Sequence, residues 1–148
     1  MRATSRTRSV IAGLTLSCAL AACGGDDNNG GFSPTMDNVA RSYHATTFTL
    51  QNGATRLDLL QLGASVNVTL TSDGHTSGQL LVPGFSEGGG TLDEDLAGTW
   101  SLSGNTVTFS QSTGTLIQGA QFTAQENTLA GSGAVEAGTV SIVLSKSS

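Results

Sequence analysis

The sequence is poor in charge and in aromatic rings. Of its 148 residues, 11% are charged and 5% aromatic, with a single Trp and a single Tyr. Coiled coils, long helices and basic nucleic-acid binders all need many more charges, so those classes are excluded. Cysteine is almost absent, at two residues. A disordered chain is excluded from the other side, because 37% of residues are hydrophobic and the net charge is only −5,. What the chain has in abundance is 20 Gly, 20 Thr and 18 Ser. At this length one folded domain is expected.

The N-terminus reads as an export signal. Arg2, Arg6 and Arg8 form a positive start, Val10 to Leu20 is an apolar stretch, and the small Ala21 and Ala22 follow it,. A membrane-spanning helix needs about 20 apolar residues, roughly twice what is here. The segment Leu20-Ala21-Ala22-Cys23 resembles the lipobox of bacterial lipoproteins. That resemblance implies that the Cys23 thiol receives a diacylglyceryl group and that cleavage after residue 22 makes Cys23 the first residue of the mature chain. It also implies a cell-envelope location, with the protein anchored by acyl chains of the palmitate kind, at the outer membrane or cell surface rather than the inner membrane.

Cys18 lies in the apolar stretch and would be discarded with residues 1–22. With Cys23 acylated, the mature chain has no free thiol for a disulfide or a thiolate metal site. Cleavage also removes three cations, leaving Arg41, Arg56 and Lys146 against eleven carboxylates, a net −8. Such a body repels nucleic acid and anionic headgroups, so the membrane contact is expected through the acyl chains alone. Residues 23–38 begin with a Gly/Asp/Asn run (Gly24 to Gly31) and are expected to be a flexible tether reaching about 20 Å,.

The domain is expected over residues 39–148. Its dominant period is two: Ser65-Val66-Asn67-Val68-Thr69-Leu70-Thr71 alternates throughout, and Val140, Ile142 and Leu144 repeat the habit. That pattern is a half-buried antiparallel strand. Turn-forming pairs such as Asn52-Gly53 and Gly104-Asn105 punctuate it about every ten residues,. Eight strands are expected, over 41–50, 64–71, 75–82, 97–103, 105–111, 117–125, 127–133 and 138–146. Only Thr55 to Leu62 differs, where Leu57, Leu59, Leu60 and Leu62 suggest a short helical turn after the first strand, stopped by Gly63,. The acidic, glycine-rich loop 83–95 is expected to be solvated and mobile. Short links make neighbouring strands antiparallel, and closing the meander removes both raw edges. The fold class expected is therefore all-β, an eight-stranded antiparallel up-and-down barrel, favoured over a sandwich.

Val66 to Gly78 (VNVTLTSDGHTSG) and Gly98 to Phe109 (GTWSLSGNTVTF) resemble the small lipocalin-like β-barrel domains of bacterial lipoproteins. The resemblance implies the barrel fold and an apolar lumen. The period places Phe48, Val66, Val68, Leu70, Leu80, Val82, Trp100, Leu102, Val107, Phe109, Phe122, Leu129, Val140, Ile142 and Leu144 inward. Of these, Trp100, Phe48, Phe109, Phe122, Leu70 and Leu80 would line a ligand site if the lumen held a small apolar molecule. Fifteen mostly large side chains, however, suit a filled interior in an eight-stranded barrel.

No catalytic centre is expected. Gly84-Phe85-Ser86-Glu87-Gly88 has the G-x-S-x-G spacing of a nucleophile elbow, but the glycines after it are a poor start for the helix that motif needs,. Asp93, Glu94 and Asp95 are consecutive, so on an extended chain they point different ways and do not converge on a cation. His44 and His75 are read as surface residues; neither a metal nor a cofactor is expected. Two functions follow: a lipid-anchored envelope protein carrying a small apolar ligand in its barrel, or an envelope surface scaffold with a filled core and a protein partner.

Overall fold

The computed structural model describes residues 31–112, 116–118 and 120–148. The expected signal peptide, Cys23 and the expected tether as far as residue 30 lie outside the described residues. Where the period of two runs, strands form. They are β1 (Ser42–Asn52), β2 (Thr55–Asp58), β3 (Ser65–Leu70), β4 (His75–Val82) and β5 (Leu92–Asp95), then β6 (Gly98–Ser103), β7 (Thr106–Gln111), β8 (Gln121–Ala124), β9 (Thr128–Val135) and β10 (Gly138–Lys146). Every pairing is antiparallel, in the order β1-β3-β4-β6-β7-β8-β9-β10, and β10 pairs back onto β1. The barrel is closed by eight strands in chain order, as the short links require.

The two extra strands extend rails of this barrel. β5 and β6 keep one register against β4, with Val82 opposite Leu92, Gln79 opposite Asp95 and Thr76 opposite Gly98. The Leu96 N–H donates to the Gly78 carbonyl at 3.0 Å in the same register, so β5 and β6 are one strand interrupted at 96–97. Likewise β2 pairs with the upper half of the β1 edge whose lower half pairs with β3. The expected helical turn after the first strand is present but shorter than Thr55–Leu62: the first half of that segment is β2, and 59–63 turns, through Leu62 N–H to Leu59 O and Gly63 N–H to Leu60 O. The Asp58 carboxylate accepts the Leu60 N–H at 3.1 Å and starts that turn. The expected mobile loop 83–95 is corrected too, because it holds a 3-10 turn at Glu87–Gly89 and strand β5.

Strand direction sorts the connections to two ends. One end carries the turns 71–74, 104–105 and 125–127; the other carries 53–54, 59–64, 83–91, 136–137 and, from the connection after β7, residues 112, 116–118 and 120. The first end is closed by α1 (Met36–Val39), in a stretch the sequence assigns to the tether. Thr35 caps it: its hydroxyl accepts the Asn38 N–H, and the Asn38 side chain accepts the Thr35 N–H,. Val39 is buried, and the buried Tyr43 hydroxyl donates to its carbonyl at 2.8 Å. Burial pushes the Tyr43 phenol up to about 12, with the nearby Arg41 charge opposing.

The lumen is the core. Fourteen of the fifteen residues expected inward are no more than 4% exposed; Leu102 is half-buried. The Phe109 and Phe122 rings meet edge to face, 5.0 Å apart at 84°,. Phe122 lies flat against Gly131, where a Cβ would stand 2.6 Å from the ring. Gly78 is held tighter still: at φ +144 its Cβ would be 2.0 Å from the Asn67 carbonyl oxygen, so only glycine lets β3 and β4 approach here,. A bulge between Ala45 and Thr47 shifts the β1–β10 register by one residue. It lets Tyr43 point inward below it and Phe48 and Leu50 above it, although their parities differ,.

Candidate functional site

The six residues that a lumen ligand would touch are all part of the packing. Phe48, Leu70, Leu80, Trp100, Phe109 and Phe122 are no more than 4% exposed. The Trp100 indole N–H donates to the Thr71 carbonyl at 2.8 Å, which ties β6 to the β3–β4 turn at the α1 end. The buried polar side chains Thr76 and Gln111 serve the break between β5 and β6. Thr76 donates its hydroxyl to the Leu96 carbonyl at 2.8 Å. Gln111, with its amide nitrogen turned to the break, donates to the Leu96 and Ala97 carbonyls at 2.8 and 3.1 Å. These groups satisfy a strand interruption, and their hydrogen-bonding capacity is directed at backbone.

Two grooves open on the described surface. One, of about 380 Å³, lies on the outer faces of β8, β9 and β10, among small polar residues such as Thr123, Ser132 and Ser141. The other, also about 380 Å³, lies at the end opposite α1. Among the described residues its apolar wall is Phe85, Leu92, Leu116, Val135 and Ala137, and two carboxylates, Glu94 and Glu136, share the lining. None of the six lumen residues lines either groove.

Three parts of the chain build this mouth. Alternation along β5 half-buries Leu92 and Glu94 and exposes Asp93 and Asp95, so the three consecutive acids separate to two faces as an extended chain requires,. The Gln79 amide donates to Asp93 at 2.9 Å on the far face. The segment after β7 contributes Leu116, whose N–H donates to Glu94 Oε2 at 3.2 Å, and the β9–β10 hairpin contributes Val135, Glu136 and Ala137. Burial raises the Glu94 carboxyl above its ordinary value, and the Leu116 hydrogen bond opposes this in part,. Leu116 and Ala137 escape a reading by period because they belong to connections; Leu92 is hidden among acids.

The remaining candidates stay apart. Ser86 precedes the 3-10 turn and packs its hydroxyl towards Gly90, while His44 and His75 are exposed residues near the α1 end. His44 Nδ1 lies 3.3 Å from the Ser147 hydroxyl. Among the described residues no group of three His, Cys, Asp or Glu converges as metal ligands would. Compared with protein-family models, curated proteins and solved structures, the chain finds no match.

Proposed function

We propose that this chain is an exported lipoprotein of the bacterial cell envelope. Acyl chains on Cys23 hold it to the membrane, and its barrel is a filled scaffold that carries a recognition surface at the mouth opposite α1. The observation that carries this reading is the division of labour in the barrel. The lumen is packed by its own side chains, whereas the groove at the mouth is half apolar, charged and open. The described chain starts beside the other end, where Phe32 and Met36 pack against the core, and this supports reading the mouth as the recognition end. The net charge of −8 for residues 23–148 supports anchoring by acyl chains over adhesion of the domain to anionic lipid,.

The test is the mass of the protein extracted from membranes of a bacterial host, beside that of Cys23→Ala. The reading expects a chain beginning at residue 23 with a diacylglyceryl mass on Cys23, and a variant that no longer enters the detergent phase. A parent chain of unmodified mass, or a variant that partitions as the parent does, overturns the anchor.

A further inference from the structure

We propose that the mouth groove binds an organic cation with an apolar body, an amphiphilic amine or ammonium compound. Its chain would lie along Leu92, Leu116 and Val135, and its charged head would meet Glu94 and Glu136. This deepens the reading of the mouth as the recognition end and rests on it.

The argument is one of complementarity. An apolar wall alone would take any hydrophobic molecule, but this wall shares one cleft with two carboxylates. Glu94 is half withdrawn from water, and among the described residues its one hydrogen bond is the Leu116 N–H. A carboxylate so placed has lost hydration without gaining a counter-charge, and a ligand cation would restore the balance.

Among the described residues, two of the three Lys and Arg side chains lie at the α1 end. Arg41 donates to the Asp37 and Ala40 carbonyls beside α1. Lys146 stands over the Phe32 ring, 5.6 Å from its centroid, also at the α1 end. Arg56 is at the mouth end, on β2, with β1 between it and β10: it pairs with Gln51, which pairs with Thr139. Glu87 lies in the 3-10 turn before β5, and Asp93 and Asp95 lie on β5, adding to the negative field at this end,. The field that attracts an amine repels a carboxylate, so fatty acids, the usual cargo imagined for an apolar barrel, are excluded by charge. The volume, about 380 Å³, is at the small end of ligand sites and suits one short chain with a head group,.

Three probes of one chain length separate charge from apolarity: octylamine, octanol and octanoate. Each is titrated below self-association into the full chain carrying Cys23→Ala, so that no acyl group competes, with amide NMR as the readout. Octylamine is expected to give saturable shifts confined to residues such as Leu92, Glu94, Leu116 and Ala137. Octanol should bind there about fivefold more weakly, the size of one partly screened charge pair, and octanoate should not saturate. The double change Glu94→Gln with Glu136→Gln should abolish the preference for the amine and leave octanol binding in place; Leu92→Ser should weaken both. Octanoate binding as tightly as octylamine, or an amine preference that survives the double change, overturns the cation. Octanol binding at the mouth without amine preference would sink this inference and leave the mouth as a recognition surface. Shifts confined to the lumen or to the β8–β10 face would sink both, whatever the mass of Cys23.

Discussion

Replacing Val68 with Asp places a carboxyl where the barrel has no room for water. Val68 is 1% exposed in the middle of β3, paired with Tyr43 on one side and Gly78 on the other. Losing the buried valine removes about 1.5–3 kcal/mol. An unpaired ion in the lumen is costlier than its neutralisation, so the new carboxyl would be buried protonated. Holding it protonated near pH 7, from an unfolded value of about 3.9, costs about 4 kcal/mol at 1.36 kcal/mol per unit. The unpaired hydroxyl and carbonyl add about 1–3 kcal/mol. The total, about 7–10 kcal/mol, is comparable to the whole stability of a typical domain, about 5–15 kcal/mol. Val68→Asp is therefore expected to be largely unfolded at neutral pH, and to recover part of the deficit as pH falls from 7 towards about 4, below which the neutralisation cost is gone. Asn67→Asp, one residue away on the exposed face, should stay within about 0.5 kcal/mol of the parent,. Urea melts at neutral and acid pH measure both, and Val68→Thr, expected to lose about 1–3 kcal/mol, gives a folded variant for the same comparison. If Asn67→Asp proved the costlier change, or Val68→Asp melted within about 1 kcal/mol of the parent, the inward register of β3 would be wrong.

Other perturbations follow from the same packing. Tyr43 is the only tyrosine, so the absorbance of its phenolate reports one group. The stability tied to its neutral form is complete below the ordinary value of 10.0 and is lost as pH rises towards about 12; an absorbance step near the ordinary value with the fold intact would contradict the burial. Gly78→Ala drives a Cβ into the Asn67 carbonyl at a φ of +144 and should remove more than about 3 kcal/mol,. Gly104→Ala, at a turn with open space around it, should cost only about 1 kcal/mol,; equal losses in thermal melts would refute the close approach of β3 and β4.

All eight barrel strands were legible in the sequence, because each buries one face and so prints a period of two along the chain. Fourteen lumen residues follow from that parity. Tyr43 does not, since the bulge at Ala45–Thr47 reverses the parity partway along β1 and no local residue announces it. The helical spacing of Leu57, Leu59, Leu60 and Leu62 announces the turn at 59–63 but conceals β2 before it: Leu57 and Leu62 are exposed and only Leu59 is buried. β5 was hidden by its acids: of Leu92-Asp93-Glu94-Asp95, half point to a half-buried face, and one of those is a glutamate. The mouth groove draws on the 83–95 segment, the connection after β7 and the β9–β10 hairpin, and a site assembled from separated loops leaves no periodic trace.

The central claim is that the barrel is a filled scaffold and that recognition happens at its mouth. Trp100 is the only tryptophan, is 4% exposed and is fixed to Thr71 near the α1 end, so its fluorescence reports the lumen and not the mouth groove. Titrating the full chain with a panel of apolar molecules, fatty acids included, should leave a blue-shifted emission unchanged in position and intensity. A saturable shift or quench of Trp100 by any of them would put a ligand inside the barrel and contradict the account.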